Sequence, residues 1–255
     1  MKDQRKFWNQ MADFGADAAV IDPNDKWGHK NRYIKWLRDE VFLKLINQTG
    51  FSVNVLDFGC GSGNISNLLA AHGHDVIGID ISLELLKLAT TARRNGNSSF
   101  ICYDGSNLPI CLNSVDIVTT YLVLIHITDN DALQAVMREL YRCLKPGGLM
   151  IAIEQTRKKS KLTDNGYKRQ RLQAEYQDIF SNAGFTASGR FTIRSGHMPL
   201  IYLVQLGLLP KYVFPILARI EQLFCPLSQQ IGDYVDTVFL LKKPVSVQKA
   251  PSSDT

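Results

Sequence analysis

The chain alternates between two hydrophobic rhythms. Short continuous apolar runs near 53–57, 75–79, 98–102, 115–121 and 148–154 read as strands. Between and after them, near 64–72, 82–94, 130–143 and 168–183, apolar positions return at helical spacing. Asp129 or Asn130 can cap the helix that starts there. Upstream, Ile34, Leu37, Val41 and Leu45 predict another helix from Asn31 to about Asn47. A β-α-β alternation of this kind predicts a parallel sheet with right-handed crossovers and helices on both faces. Two late extended runs, 186–195 and 234–242, come after the last of these helices, and no internal repeat is visible.

Other segments break the rhythm. Residues 1–30 read as an irregular leader in which Phe7, Trp8, Phe14 and Trp27 stand among polar residues. The pattern divides the chain into a leader and helix at 1–48, a candidate lid, and an α/β core at 49–195. An apolar insertion at 196–230, a final edge strand at 231–243 and a tail at 244–255 complete it, and the Pro, Ser and Lys of the tail predict disorder. The apolar stretch of the insertion, 198–209, falls short of the ~20 residues a membrane span needs. Pro199, Pro210 and Pro215 also interrupt its surroundings. The insertion reads either as a pair of helices packed on the domain, or as an apolar wall over a pocket or an interfacial helix reaching lipid.

Composition narrows the class. A chain of 255 residues with 45% hydrophobic content suits one α/β domain with an ample core. The net charge of +5 is too mild to demand nucleic acid by itself. Five cysteines, at 60, 102, 111, 143 and 225, include no C-x-x-C pair and lie mostly in apolar patterns. They predict reduced thiols in the cytoplasm rather than disulfides or a zinc site, and no metal site is expected. The charged start, Met1 to Lys6, lacks the apolar segment of a secretory signal.

The candidate chemistry sits where the first strand ends. Val53-Asn54-Val55-Leu56-Asp57-Phe58-Gly59-Cys60-Gly61-Ser62-Gly63 runs from an apolar strand through an aspartate into alternating glycines. Such a turn lets a ligand approach the backbone at the carboxyl end of a buried strand. The spacing G-x-G-x-G differs from the dinucleotide fingerprint G-x-G-x-x-G. A carboxylate at Asp57 would also repel a phosphate, and favours a cationic ligand without one, such as S-adenosylmethionine. Asp80 closes the next apolar run, where a carboxylate can accept both hydroxyls of a ribose.

From these residues the chain resembles the class I S-adenosylmethionine-dependent methyltransferases. Leu56–Gly63 is similar to the first motif of the family, and Gly78–Ser82 to its ribose-binding segment. Asp104-Gly105 resembles the adenine-contacting pair, and Ser114–Val118 the fourth strand, which leads to Val123–His126. Leu144–Ile151 resembles the turn into the fifth strand. The resemblance covers roughly residues 50–155. It implies a Rossmann-like, mostly parallel seven-stranded sheet with an antiparallel strand at its edge, supplied by the 186–195 and 234–242 hairpin. It also implies S-adenosyl-L-methionine as cofactor and S-adenosyl-L-homocysteine as product. By the same resemblance Gly59, Gly61 and Gly63 pack against the methionine part and Asp57 meets its ammonium, directly or through water. Asp80 holds the ribose, Ile81 covers adenine, Asp104 beside Gly105 accepts from the adenine amino group, and Tyr121 lies near the methionine portion. Bland alternatives stay open: helix–strand packing for Gly63, an ordinary turn for Asp104.

On the acceptor side, His126 follows the fourth strand, in the loop the family turns toward the transferred methyl, and its type suits proton abstraction. The alternative is a histidine that merely orders the loop. Glu154, ending the fifth strand, is a second candidate. His29 and the polar leader around it read as a lid or as a surface loop capped by Asn31. The (N/D/S)-P-P-(Y/F/W) motif, which resembles that of amide and amino methylation, is missing, since Thr120-Tyr121-Leu122-Val123 stands there. The basic run Arg157-Lys158-Lys159-Ser160-Lys161, followed by Lys168, Arg169 and Arg171, reads as solvated surface or as an attractor for an anionic acceptor, lipid or RNA. No ordered aromatic platform for nucleic acid is visible. The expectation is a methyltransferase for a small molecule, with a glycan, lipid or anionic lipid-linked precursor among the candidates and at most peripheral membrane contact. The rivals are an RNA or protein methyltransferase, a regulatory module that binds cofactor without transfer, and a dinucleotide oxidoreductase.

Overall fold

The computed structural model describes residues 3–15, 25–93, 96–196, 199–231 and 234–245, with the side chains of 225–231 left aside. The expected tail beyond 245 lies outside the described residues. In chain order the strands are β1 (Asn54–Phe58), β2 (Asp75–Asp80), β3 (Asn97–Cys102), β4 (Val115–Tyr121) and β5 (Leu144–Thr156), then β6 (Lys161–Thr163), β7 (Lys168–Gln170), β8 (Thr186–Ser195) and β9 (Val235–Lys242). The helices are α1 (Gln4–Met11), α2 (His29–Ile46), α3 (Asn64–Ala71), α4 (Leu83–Thr91), α5 (Asn130–Cys143), α6 (Gln173–Asn182), α7 (Leu200–Gln205) and α8 (Phe214–Ile231).

Seven strands form one sheet in the order β3-β2-β1-β4-β5-β9-β8. Strands β1 to β5 run parallel, and β9 pairs antiparallel with both β5 and β8. The hairpin therefore sits at the sheet edge, with its antiparallel strand one place in. From β1 the chain winds outward to β2 and β3, then returns to place β4 on the other side of β1. That reversal opens a crevice at the carboxyl ends of β1 and β4, the place where open α/β sheets bind ligands.

Alternation along the strands feeds two apolar layers. Leu56, Phe58, Val118, Met150 and Phe239 pack with Leu133, Met137 and Leu140 of α5 and Tyr176 and Phe180 of α6. Val55, Ile117, Ile151, Ile153 and Val238 pack with Tyr33, Leu37 and Phe42 of α2, Leu69 of α3, and Phe214 and Leu217 of α8.

Three segments depart from the sequence reading. The leader is not irregular throughout: Asp3 caps α1, its carboxylate accepting from the Lys6 N–H at 3.0 Å. Helix α2 starts at His29, and it is Asp25, not Asn31, whose carboxylate accepts a first-turn amide, that of Asn31 at 2.8 Å. Residues 168–170 pair with 161–163 as strands instead of opening a helix, because the chain reverses through Asp164 and Asn165 at positive φ. Within this hairpin region Lys168 pairs with Asp164, while Arg171 is wholly buried and donates to the carbonyls of Leu124 and Ile127. Lys158, Lys159 and Lys161 remain the exposed part of the basic run. Among the described residues, no helix is long and apolar enough to cross a membrane.

At the β8–β9 end, Arg194 Nε donates to Asp236 Oδ2 at 3.0 Å, and both side chains are only 4% exposed. Removing one member leaves an uncompensated buried charge, which typically costs 3–5 kcal/mol. Asp236→Ala is therefore expected to lower the unfolding free energy by about that amount. A urea midpoint within experimental error of wild type would contradict it.

Candidate active site

The turn after β1 is shaped by packing. Gly59, Gly61 and Gly63 have φ of 72°, 52° and 73°, in the left-handed region. A Cβ on Gly59 would lie 2.4 Å from the Val123 side chain in the loop after β4. One on Gly63 would lie 2.7 Å from the Ala89 Cβ and 2.9 Å from the Phe100 ring. Gly63 thus lets α3 close on α4 and β3.

Four amides of this turn are already held by the protein. Gly59 and Cys60 N–H both donate to the Ile79 carbonyl, at 2.8 and 3.0 Å, and Gly63 N–H donates to the Cys60 carbonyl at 2.9 Å. Gly61 N–H donates to Asp80 Oδ2 at 2.8 Å. A phosphate-binding turn offers its N–H groups to the anion. Here they point into the protein, and a carboxylate stands beside them.

Asp80 ends β2 and is 7% exposed. Its Oδ1 accepts from the Ser82 N–H at 2.8 Å, so each oxygen holds one backbone donor and retains a lone pair for a further one. Burial, its largest influence, pushes the carboxyl up to about 6. Ile81 is half-buried, and a Cβ on Gly105 would lie 4.0 Å from it, so the two flank one space. Asp104 is exposed and caps its own turn: Oδ1 accepts from the N–H and Oγ of Ser106 at 2.8 and 2.6 Å, and these bonds lower its pKa.

Asp57 lies deeper, 1% exposed, accepting from Ser66 Oγ at 2.6 Å and Thr119 Oγ1 at 3.0 Å. Burial raises its pKa. Direct contact with an ammonium is closed off in this arrangement, leaving water or the electric field as the route. Tyr121 is buried under α2, with the Arg38 guanidinium 5.2 Å from its ring centroid, and burial raises its hydroxyl. Arg38 escaped the sequence reading. It is 1% exposed, donates to Asp39, and its charge favours the ionised form of Asp57. The signal was present: a cation four residues after Ile34, inside the apolar stripe of the helix.

Both proton-transfer candidates change role. Glu154 is wholly buried and its oxygens are taken: Oε1 accepts from Thr120 Oγ1 and the N–H of Val123 and Leu124, Oε2 from the N–H of Ile125. Burial lifts it to about 7, but no face of it reaches an acceptor. It positions the loop after β4 instead. His126 is 8% exposed, and burial, aided by Lys168, pushes its pKa down to about 3. Its Nδ1 lies 3.2 Å from the Tyr167 carbonyl, which only accepts, so Nδ1 carries the proton and Nε2 is left as the acceptor. A ring of that pKa is a feeble general base while so enclosed. His29 is also elsewhere: a Cβ on Gly207 of the insertion would lie 2.5 Å from its ring.

The His126 shift fixes a pH dependence. The unfolded ring titrates near 6.5 and the folded ring near 3, so between these values the unfolded state binds more protons and stability rises with pH. Above about 6.5 this contribution is flat. His126→Gln is expected to flatten the rise in urea midpoint between those pH values relative to wild type. Parallel curves for the two proteins would refute the shift.

Helix α1 spans this rim. Gln4 Nε2 donates to the carbonyls of His126 and Tyr167 at 2.8 and 3.1 Å, and Arg5 to that of Tyr103 at 3.2 Å. Ser82 Oγ donates to Asn9 Oδ1 at 2.7 Å. The Trp8 and His126 rings meet edge to face at 4.7 Å, and Phe7 stacks on Tyr167 at 4.5 Å. The helix thus bridges the loops that follow β2, β3 and β4.

Residues 56–152, which run from β1 through β5 and contain the glycine turn, match the family described as "Methyltransferase domain". This segment is a class I S-adenosylmethionine-dependent methyltransferase domain. Its relatives include the malonyl-[acyl-carrier protein] O-methyltransferase of Hamiltonella defensa, 27% identical over 135 residues, 52% of this chain and 50% of the relative. The demethylmenaquinone methyltransferase of Listeria welshimeri is 32% identical over 129 residues, 48% of this chain and 52% of the relative. The chain spans about half the length of these curated relatives. In fold, the methyltransferase domain resembles phosphoethanolamine N-methyltransferase 2 of Haemonchus contortus, solved with S-adenosyl-L-methionine. The TM-score is 0.64 at 18% identity, over 96% of this chain and 60% of that one.

The cofactor of such a domain is S-adenosyl-L-methionine, and the residues present fit it. A ligand without phosphates needs none of the turn amides that Ile79, Asp80 and Cys60 have taken. The two lone pairs of Asp80 suit a vicinal diol.

Proposed function

We propose that this chain transfers a methyl group from S-adenosyl-L-methionine to a small-molecule acceptor. The observation that supports the reading is the turn after β1, where the amides of Gly59, Cys60, Gly61 and Gly63 are held by the protein and the Asp80 carboxylate stands beside them. When bound, the cofactor supplies a methyl on a sulfonium, already activated for displacement, so holding the acceptor in line provides much of the rate. Asp80 binds the ribose, Ile81 and Gly105 flank the adenine, Asp104 accepts from its amino group, and Asp57 with Arg38 sets the field at the methionine end beside Tyr121. Helix α1 acts as a lid that excludes water. His126 Nε2 accepts a hydrogen bond from the acceptor and orients it, its depressed pKa keeping the ring neutral. Glu154 holds the loop that carries His126.

A small acceptor is favoured because a polymer would have to displace α1 from the rim. The named relatives act on a demethylmenaquinone and a malonyl-[acyl-carrier protein], which supports a small or carrier-linked acceptor here. Exposed Lys158, Lys159 and Lys161 suit one with an anionic group. Unpaired Cys60, Cys102, Cys111 and Cys143 suit a cytoplasmic setting. Incubating the protein with cell extract and donor labelled in the methyl group is expected to place label in the small-metabolite fraction. Label confined to RNA or protein, or none above a boiled control, would refute the proposal.

A further inference from the structure

The insertion between β8 and β9 carries a surface that the methyltransferase chemistry leaves unexplained. Of sixteen exposed large apolar side chains among the described residues, eight lie within 202–224. Helix α8 shows two apolar stripes. Phe214, Leu217 and Ala218 face the core together with Glu221, while Ile216, Leu223 and Phe224, at spacing i, i+7, i+8, are exposed, with Ile220 half-buried between them. Ile216 is 60% exposed and Leu223 79%, and before the helix Tyr212 is 81% exposed. A helix that served only to cover the domain would need the first stripe alone.

Charge says what the second stripe meets. Between residues 196 and 231 the only acidic residue is Glu221. It is turned inward, 2% exposed, accepting from the Tyr33 hydroxyl at 2.8 Å and the Ser195 N–H at 3.2 Å. Among the described side chains of this segment the exposed charges are Lys211 and Arg219, both positive. Exposed Tyr202 and Tyr212 add rings with an apolar body and a polar tip, the type favoured at bilayer–water interfaces. A second copy seated on this face by two-fold symmetry would bring the same cations to one interface, whereas an anionic headgroup layer neutralises them.

We propose that α7, the turn at 206–213 and the outer stripe of α8 form a membrane-docking surface that lies in the headgroup layer of an anionic bilayer without crossing it. The test is flotation of the intact protein with vesicles of phosphatidylcholine, alone or mixed with phosphatidylglycerol. No methyl donor is present, so a negative result leaves methyl transfer untouched. Wild type is expected to float with the mixed vesicles and to bind the neutral ones roughly tenfold more weakly or worse. Ile216→Asp with Leu223→Asp, and separately Lys211→Glu with Arg219→Glu, are each expected to reduce binding by about tenfold or more. All four side chains are exposed, so both pairs should keep the wild-type melting temperature. A wild type that floats with neither vesicle, or binding that neither pair alters, would overturn the proposal. So would a wild-type dimer in sedimentation velocity that the aspartate pair dissociates.

Discussion

Replacing Asp80 by alanine is expected to weaken binding of S-adenosylhomocysteine by roughly a hundredfold or more. The carboxylate would accept both ribose hydroxyls, and a hydrogen bond to a charged group is worth about 1.5–3 kcal/mol. Two of them give about 3–6 kcal/mol, two or more decades in affinity. Alanine also orphans the N–H groups of Gly61 and Ser82, now held at 2.8 Å, so the turn loses its brace along with its ligand contact. Asp80→Asn retains one acceptor oxygen and should fall between. Titration calorimetry on correctly folded variants reads this directly. An alanine variant within threefold of wild type would remove Asp80 from the cofactor site.

The second large effect belongs to a residue that touches no ligand. Glu154→Ala takes away the acceptor for three consecutive N–H groups, those of Val123, Leu124 and Ile125, in a wholly buried place. Each orphaned buried donor costs about 1–3 kcal/mol, so three cost about 3–9 kcal/mol, and with water entering the gap the lower half of that range, about 3–6 kcal/mol, is expected. The loop it frees carries Val123, which packs on Gly59, and His126, which packs under Trp8. Cofactor affinity should therefore fall with stability. Glu154→Gln keeps one oxygen for Val123 and Leu124 but turns an amide N–H₂ toward Ile125 N–H, so it should lose less. Denaturant unfolding of both variants checks the order. An alanine variant within about 1 kcal/mol of wild type would mean that the loop finds its donors elsewhere.

The sheet was legible because β1, β2 and β4 are buried on both faces and therefore read as continuous apolar runs. The glycine turn and Asp80 were legible because their chemistry is local: the residues that brace one another lie within about twenty positions. What the chain did not reveal was long-range. The depressed pKa of His126 depends on its burial under α1, more than a hundred residues away, and on the charge of Lys168. Glu154 reads as a rim carboxylate until the loop thirty residues upstream folds onto it. The strand at 168–170 follows a turn with Asp164 and Asn165 at positive φ, a conformation those residue types favour, but its pairing with 161–163 had no apolar pattern to mark it. Arg171, read as part of a basic surface, is a buried strut for the same loop.

The central physical claim is that the turn after β1, with its Gly59, Cys60, Gly61 and Gly63 amides already taken and Asp80 beside them, favours a nucleoside without phosphates over a diphosphate. Thermal unfolding in separate titrations of S-adenosylhomocysteine and NADH tests it most directly, because a ligand that binds only the folded state raises the melting temperature. A rise with S-adenosylhomocysteine and none with NADH is predicted. A rise with NADH, or none with S-adenosylhomocysteine, would contradict the account.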